Sequence, residues 1–209
     1  MALGALIAIL DHGPVAQDEV DDWYDTEHIP ERLAVPGFLN AQRWVVADGS
    51  PVSVVLYDLT DLSVLDGEAY RSIGGENLSP WSNRVIGRCD RFLRYAAEQL
   101  TPGDAAAVDE AGGLLVFAMD VDPEADEEFN RWYDTEHLPA LSEVPGVLLA
   151  RHFRVHHGDH AYIATYHVTD PAVRGSEGWR EAAETPWTHR IRERTRNRLV
   201  LACRPYQRR

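Results

Sequence analysis

The chain has 209 residues, is 44% hydrophobic and carries a formal net charge of −14. That length supports a sizeable core and one or two domains. The acidic balance disfavours nucleic acid and anionic membrane surfaces as partners, because both need a basic face. Every one of the 20 basic residues is Arg, which reads as genome bias. The C-terminal cluster Arg190, Arg192, Arg194, Arg196 and Arg198 reads first as a solvated basic face, and second as a site for an anionic ligand. Two cysteines, Cys89 and Cys203, at non-equivalent places argue against a disulfide framework and fit a reducing cytoplasm.

One phrase occurs twice. Residues 23–30 read Trp-Tyr-Asp-Thr-Glu-His-Ile-Pro and residues 132–139 read Trp-Tyr-Asp-Thr-Glu-His-Leu-Pro, an offset of 109 (132 − 23). This is an internal repeat. The apolar start, Leu6-Ile7-Ala8-Ile9-Leu10-Asp11, has its copy at Leu115-Val116-Phe117-Ala118-Met119-Asp120. It therefore reads as a strand rather than a leader, and no apolar run is long enough to span a membrane.

Each half predicts the same elements in order. A buried strand covers 3–11 and 113–121. A helix covers 15–29 and 124–138, with Pro14 and Pro123 at its start and acids in its first turn. Pro30 and Pro139 are expected to end or kink it. Val35-Pro36-Gly37 and Val144-Pro145-Gly146 mark turns. Strands follow at 38–47 and 147–156, then hairpin turns, then strands at 52–59 and 161–168. A second helix is predicted at 62–73 and 171–184, and a last strand at 90–97 and 197–204. Three extra residues near Gly74-Gly75-Glu76 reduce the later offset to 106 (186 − 80).

The order β-α-β-β-α-β, twice, is the ferredoxin-like unit. The expected organisation is repeat 1 over 1–97, a linker over 98–112 and repeat 2 over 113–209. One such unit leaves a sheet face bare. The α+β class prediction is therefore two repeats packed sheet to sheet, an intramolecular barrel with pseudo-twofold symmetry, and a further homodimer is compatible with it.

The repeated phrase followed by Val-Pro-Gly and Arg-containing strands resembles the EthD-like branch of the dimeric α+β barrel superfamily. The resemblance covers both halves and departs from the usual single-domain dimer in being tandem. It implies small clefts between each sheet and its helices. It also implies kinship with cofactor-independent monooxygenases, polyketide cyclases, isomerases, lyases and haem enzymes, while leaving the reaction open.

Tyr133, Glu136 and His137, with counterparts Tyr24, Glu27 and His28, form a candidate acid–base set at the end of the first helix. The helix dipole and the adjoining carboxylate would favour the imidazolium there. The competing reading is structural: His and Glu would hold the helix end and its turn. The two halves also differ: Arg43 matches His152, Asp58 matches His167 and Asn83 matches His189. His152, His167 and His189, with Arg43 and Trp187, are candidate substrate contacts around His137. No metal-binding spacing supports a metal site, and no nucleotide fingerprint or nucleophile elbow occurs. The expectation is a cytoplasmic enzyme of secondary metabolism that needs no cofactor. It would act by acid–base chemistry on a small apolar, aromatic or polyketide-type molecule, as a cyclase, isomerase, lyase or monooxygenase. The alternatives are a non-catalytic small-molecule binding protein and a haem or metal enzyme.

Overall fold

Strand β1 (Gly4–Asp11) is buried at seven of its eight residues. A strand this apolar needs cover on both faces, and the fold supplies it from two directions. A computed structural model describes residues 2–208. Met1 and Arg209, the outer ends of the two expected repeats, lie outside the described residues.

In the first half, β1 pairs antiparallel with β3 (Val52–Leu59) and β4 (Arg91–Thr101), and β3 pairs with β2 (Gln42–Val46). The second half repeats the order 4-1-3-2 with β5 (Gly113–Val121), β6 (Val147–His157), β7 (Tyr162–Val168) and β8 (Thr195–Pro205). The two sheets join along β2–β8 and β4–β6 and close an eight-stranded barrel. The sheet faces that each unit alone would expose are thus buried against each other. Ile7, Leu56 and Tyr95 meet Val116, Phe153 and Ile163 in the lumen. Helices cover the outside of each half over two further apolar layers.

The first helix, α1, does not stop at Pro30. It runs as α-helix over Gln17–Trp23, as a π-helical turn over Tyr24–His28 and again as α-helix over Ile29–Leu33. Its twin, α4, repeats this over Asp126–Trp132, Tyr133–His137 and Leu138–Ser142. The Ile29 and Leu138 amides donate five residues back, to the Tyr24 and Tyr133 carbonyls. The widened turn carries the chain past a residue that has no N–H to donate, so neither proline breaks the helix.

The predicted second helix is in fact two pieces. Short 3₁₀ turns at Leu62–Asp66 and Pro171–Gly175 precede α2 (Glu68–Arg71) and α5 (Glu177–Ala183). Extended Gly67 and Ser176 separate them. Two further helices, α3 (Pro80–Ile86) and α6 (Pro186–Glu193), went unpredicted although each carries its start signal. Ser79 and Thr185 accept the Ser82 and Thr188 amides, and proline follows at the first helical position.

Strand β4 extends to Thr101, into the segment read as linker. The rest of that segment is drawn over one end of the lumen, where Ala107, Val108 and Ala111 pack on the barrel core. Two polar pairs related by the pseudo-twofold lie there. Arg151 donates to Asp58 at 2.6 Å, and both are fully buried. Asp58 also accepts the Ala107 amide at 2.6 Å and Asn40 at 2.8 Å. The equivalent pair is neutral: Gln42 and His167, 2.9 Å apart. Gln42 in turn donates to the Val108 carbonyl.

Candidate functional site

A cavity of about 540 Å³ lies in the second half between the outer face of β5, β7 and β8 and helices α4, α5 and α6. Its walls are aromatic: Phe117, Trp132, Tyr133, Tyr166 and Trp179. Arg174, Arg180, Arg192 and Arg198 also line it, so an apolar interior carries a cationic border. Arg192 donates twice to Glu184, at 3.0 and 2.8 Å, and Arg174 lies 5.7 Å from the Phe117 ring centre.

His137 lines this cavity. The π-helical turn of α4 places it flat on Trp132, with ring centres 4.1 Å apart, and edge-on to Tyr133 at 5.3 Å. Its Nδ1 is buried without a hydrogen-bond partner. Burial pushes its pKa down to about 3; Arg192 pushes the same way and Glu184 opposes. The expectation of an imidazolium favoured by the helix end is thereby corrected, because desolvation outweighs the dipole. The adjoining carboxylate does not help, since Glu136 accepts a 2.6 Å hydrogen bond from Thr185, the residue that caps α6. Burial raises the Tyr133 and Tyr166 hydroxyls, and each hydroxyl feels the other. At neutral pH the cavity therefore offers a neutral imidazole and two neutral phenols.

The other predicted residues are distributed as follows. His152 is fully buried behind Tyr133, stacked on it at 4.0 Å and 9°, with neither ring nitrogen partnered. Burial, then Arg154 and His137, push its pKa down to about 3. His167 points to the other side of the sheet, into the lumen, 5.9 Å from the Trp44 ring centre. His189 is exposed and sits 2.9 Å from Glu184. Trp187 donates to Glu128 at 3.0 Å, away from the cavity. The expected gathering of His137, His152, His167 and His189 does not occur: His152 alone adjoins the site, through Tyr133. Among the described residues, no three His, Cys, Asp or Glu side chains are grouped to hold a metal ion. An axial haem ligand normally donates its second ring N–H to a carbonyl or carboxylate. His137, with an unpartnered Nδ1 and a ring flat on Trp132, does not fit that role.

The first half carries the equivalent cavity, about 560 Å³, lined by His28, Tyr57 and Tyr70. His28 lies 4.2 Å from the Trp23 ring, and burial, then Arg32, holds its pKa well below the usual range. Glu27 accepts from the Ser79 hydroxyl, the cap of α3, as Glu136 does from Thr185. Tyr24 is buried under Arg43, whose guanidinium lies 4.6 Å from its ring and 3.7 Å from that of Tyr206. Arg43 pairs with Asp21 and Asp25 and so occupies the position of His152 as part of an ion-pair network.

The Glu contacts yield a test. Glu136→Ala should lower stability by about 1.5–3 kcal/mol, the worth of a hydrogen bond to a charged group, without unfolding the chain. Urea denaturation measures it, and an unchanged midpoint would contradict the role.

Sequence reasoning missed Tyr166 and the Tyr70/Trp179 pair as cavity walls. Tyr57 and Tyr166 are one residue type at equivalent places, which was the available signal.

No protein-family model matches the chain, and no curated protein sequence matches it. Solved structures do. The chain is similar to an anthrone oxidase-like protein, with a TM-score of 0.70 and 12% identity over 99% of this chain and 92% of that one. It is similar to a protein provisionally assigned as a chlorite dismutase, with a TM-score of 0.64 and 12% identity over 99% and 96% of the two chains. A provisionally assigned monooxygenase from Fusobacterium nucleatum subsp. nucleatum matches with a TM-score of 0.62 and 9% identity over 99% and 93%. At these identities the likeness is one of fold: the dimeric α+β barrel, here made by a single chain. No described helix is long and apolar enough to cross a membrane.

Proposed function

We propose that the second-half cavity is the active site of a cofactor-independent enzyme. Its substrate would be a small, planar, polyketide-type or aromatic molecule with an acidic C–H. The observation that carries this reading is His137, a neutral imidazole in an aromatic-walled cavity beside two neutral tyrosine hydroxyls. His137 would accept the C–H proton and leave an enolate, which the Tyr133 and Tyr166 hydroxyls and the arginine border would stabilise. The lowered pKa keeps His137 unprotonated at neutral pH but makes it a weak base, so the transfer would depend on that enolate stabilisation, and the imidazolium formed would return the proton readily. Return to a different atom is isomerisation, and attack of the enolate carbon on an internal carbonyl is cyclisation. In the monooxygenase variant the same carbanion would add to dioxygen, and the hydroperoxide formed after protonation would lose water to leave a carbonyl, dioxygen being both oxidant and oxygen source; an anthrone oxidase-like protein shares the fold. The repeated Trp-Tyr-Asp-Thr-Glu-His phrase supports placement in the EthD-like branch.

The test is proton exchange. Aryl ketones with an acidic CH2, such as anthrone, are incubated with the protein in D2O and followed by NMR. Wild-type protein should accelerate deuterium uptake, and His137→Asn should lower the acceleration at least ~100-fold. Uptake unchanged by His137→Asn would sink the proposal. A non-catalytic binding protein is the second reading. It is favoured by Glu136, which serves Thr185 rather than His137 and so provides no relay. That reading predicts saturable binding without exchange.

A further inference from the structure

The two cavities are built to different chemistry. Where the second half has buried Leu141, the first has Arg32 at the equivalent position, 4% exposed and lining the cavity with His28. Arg32 donates to the His28 carbonyl at 3.2 Å. Among the described residues its one carboxylate partner, Glu31, is 3.5 Å away and partly exposed. A buried guanidinium wants closer compensation than this. Arg94, which donates to the Tyr70 hydroxyl at 3.1 Å, and Arg71 line the same cavity. The Tyr57 hydroxyl and His28 Nδ1, on two lining residues, are buried and have no hydrogen-bond partner among the described residues. Burial raises the Tyr57 pKa, so this hydroxyl remains a donor.

Two more differences fall here. Gly74, Gly75 and Glu76, at the insertion that only the first half carries, form part of the cavity wall. Ala8 stands where the second half has Phe117, and the remaining floor (Leu6, Leu65, Phe92) is apolar. The result is a pocket with an apolar floor, a buried cation and an unused hydroxyl donor, in a protein whose net charge is −14.

We propose that the first-half cavity is a second, separate binding site for a small organic carboxylate with an apolar body. Arg32 would take the carboxylate through its planar fork. Tyr57 would donate to the same group, and the floor would take the apolar body. This site is independent of the proton chemistry assigned to His137.

The probe is 4-fluorobenzoate, titrated against wild-type protein by 19F NMR, with neutral 4-fluorobenzamide as the control. Benzoate should bind saturably and at least about tenfold more tightly than the amide, as a charge-assisted hydrogen bond implies. Arg32→Leu, which installs the residue of the other half, should abolish that preference. Tyr57→Phe should weaken benzoate severalfold and the amide by less, because a hydrogen bond to the charged acceptor is the stronger. Ala183→Trp, which fills the second-half cavity, should leave the benzoate titration as it was. Should Arg32→Leu fail to fold, Tyr57→Phe decides the matter. Equal binding of acid and amide, no saturable benzoate binding, or loss of binding in Ala183→Trp would each overturn the proposal.

Discussion

Asp58→Ala should cost about 3–5 kcal/mol of folding stability, the penalty for leaving a buried charge without its partner. Arg151 is fully buried, and among the described residues Asp58 is its one carboxylate partner, at 2.6 Å. Asp58 also holds the Ala107 amide and the Asn40 side chain, so its removal loosens the linker at Ala107 at the same time. A loss of that size is a large fraction of the roughly 5–15 kcal/mol that holds a protein folded. Urea denaturation followed by tryptophan fluorescence reads it. The fold also contains the rescue. Combining Asp58→His with Arg151→Gln copies the neutral Gln42–His167 pair to the charged side of the barrel. That double variant should regain at least half of the loss. A single variant costing less than about 1 kcal/mol, the scale of an exposed ion pair, would show that the pair is not dry.

The protein should also unfold in mild acid, with a steep dependence on pH. Burial holds the pKa values of His137, His152 and His167 at about 3, against 6.5 for an exposed histidine. Above pH 6.5 these groups are neutral whether the chain is folded or not, and they contribute no pH dependence. Below it the unfolded chain takes up protons that the folded chain refuses. Stability therefore falls as pH drops from 6.5 towards 3, by about 1.4 kcal/mol per pH unit for each group. Three groups give about 4 kcal/mol per unit, enough to unfold a typical domain before pH 4. His28 adds in the same direction. His152→Phe keeps a ring stacked on Tyr133 and removes one proton. Its stability profile, from urea midpoints between pH 7 and 5, should be shallower by about 1.4 kcal/mol per unit. An identical slope in wild type and variant would show that His152 is protonated in the folded state.

The architecture was largely readable from the chain because the repeat supplied each element twice. The site was readable only in part. Strand β7 is buried on both sides, with Tyr162, Ala164 and Tyr166 towards the helices and Ile163 towards the lumen. With no solvent-facing side to set the phase, His167 gave no sign of which way it faced. Glu136 and His137 are adjacent in sequence, yet neighbours on a helix point about 100° apart, and so one serves a cap while the other meets the cavity. The proline rule failed at Pro30 and Pro139 because the turn before each is widened, which composition does not reveal.

The two lumen pairs carry a consequence for how this chain recognises itself. Were repeat 2 to dimerise with its own copy, each Arg151 would face a His167, and two buried cations would lack a carboxylate. Were repeat 1 to do so, each Asp58 would face a Gln42 and its buried carboxylate would find no arginine. Correct assembly thus holds one complementary lock on each side of the barrel, and both wrong assemblies break it twice. With both repeats in one chain, each half is complementary at these two pairs to the other half rather than to a copy of itself.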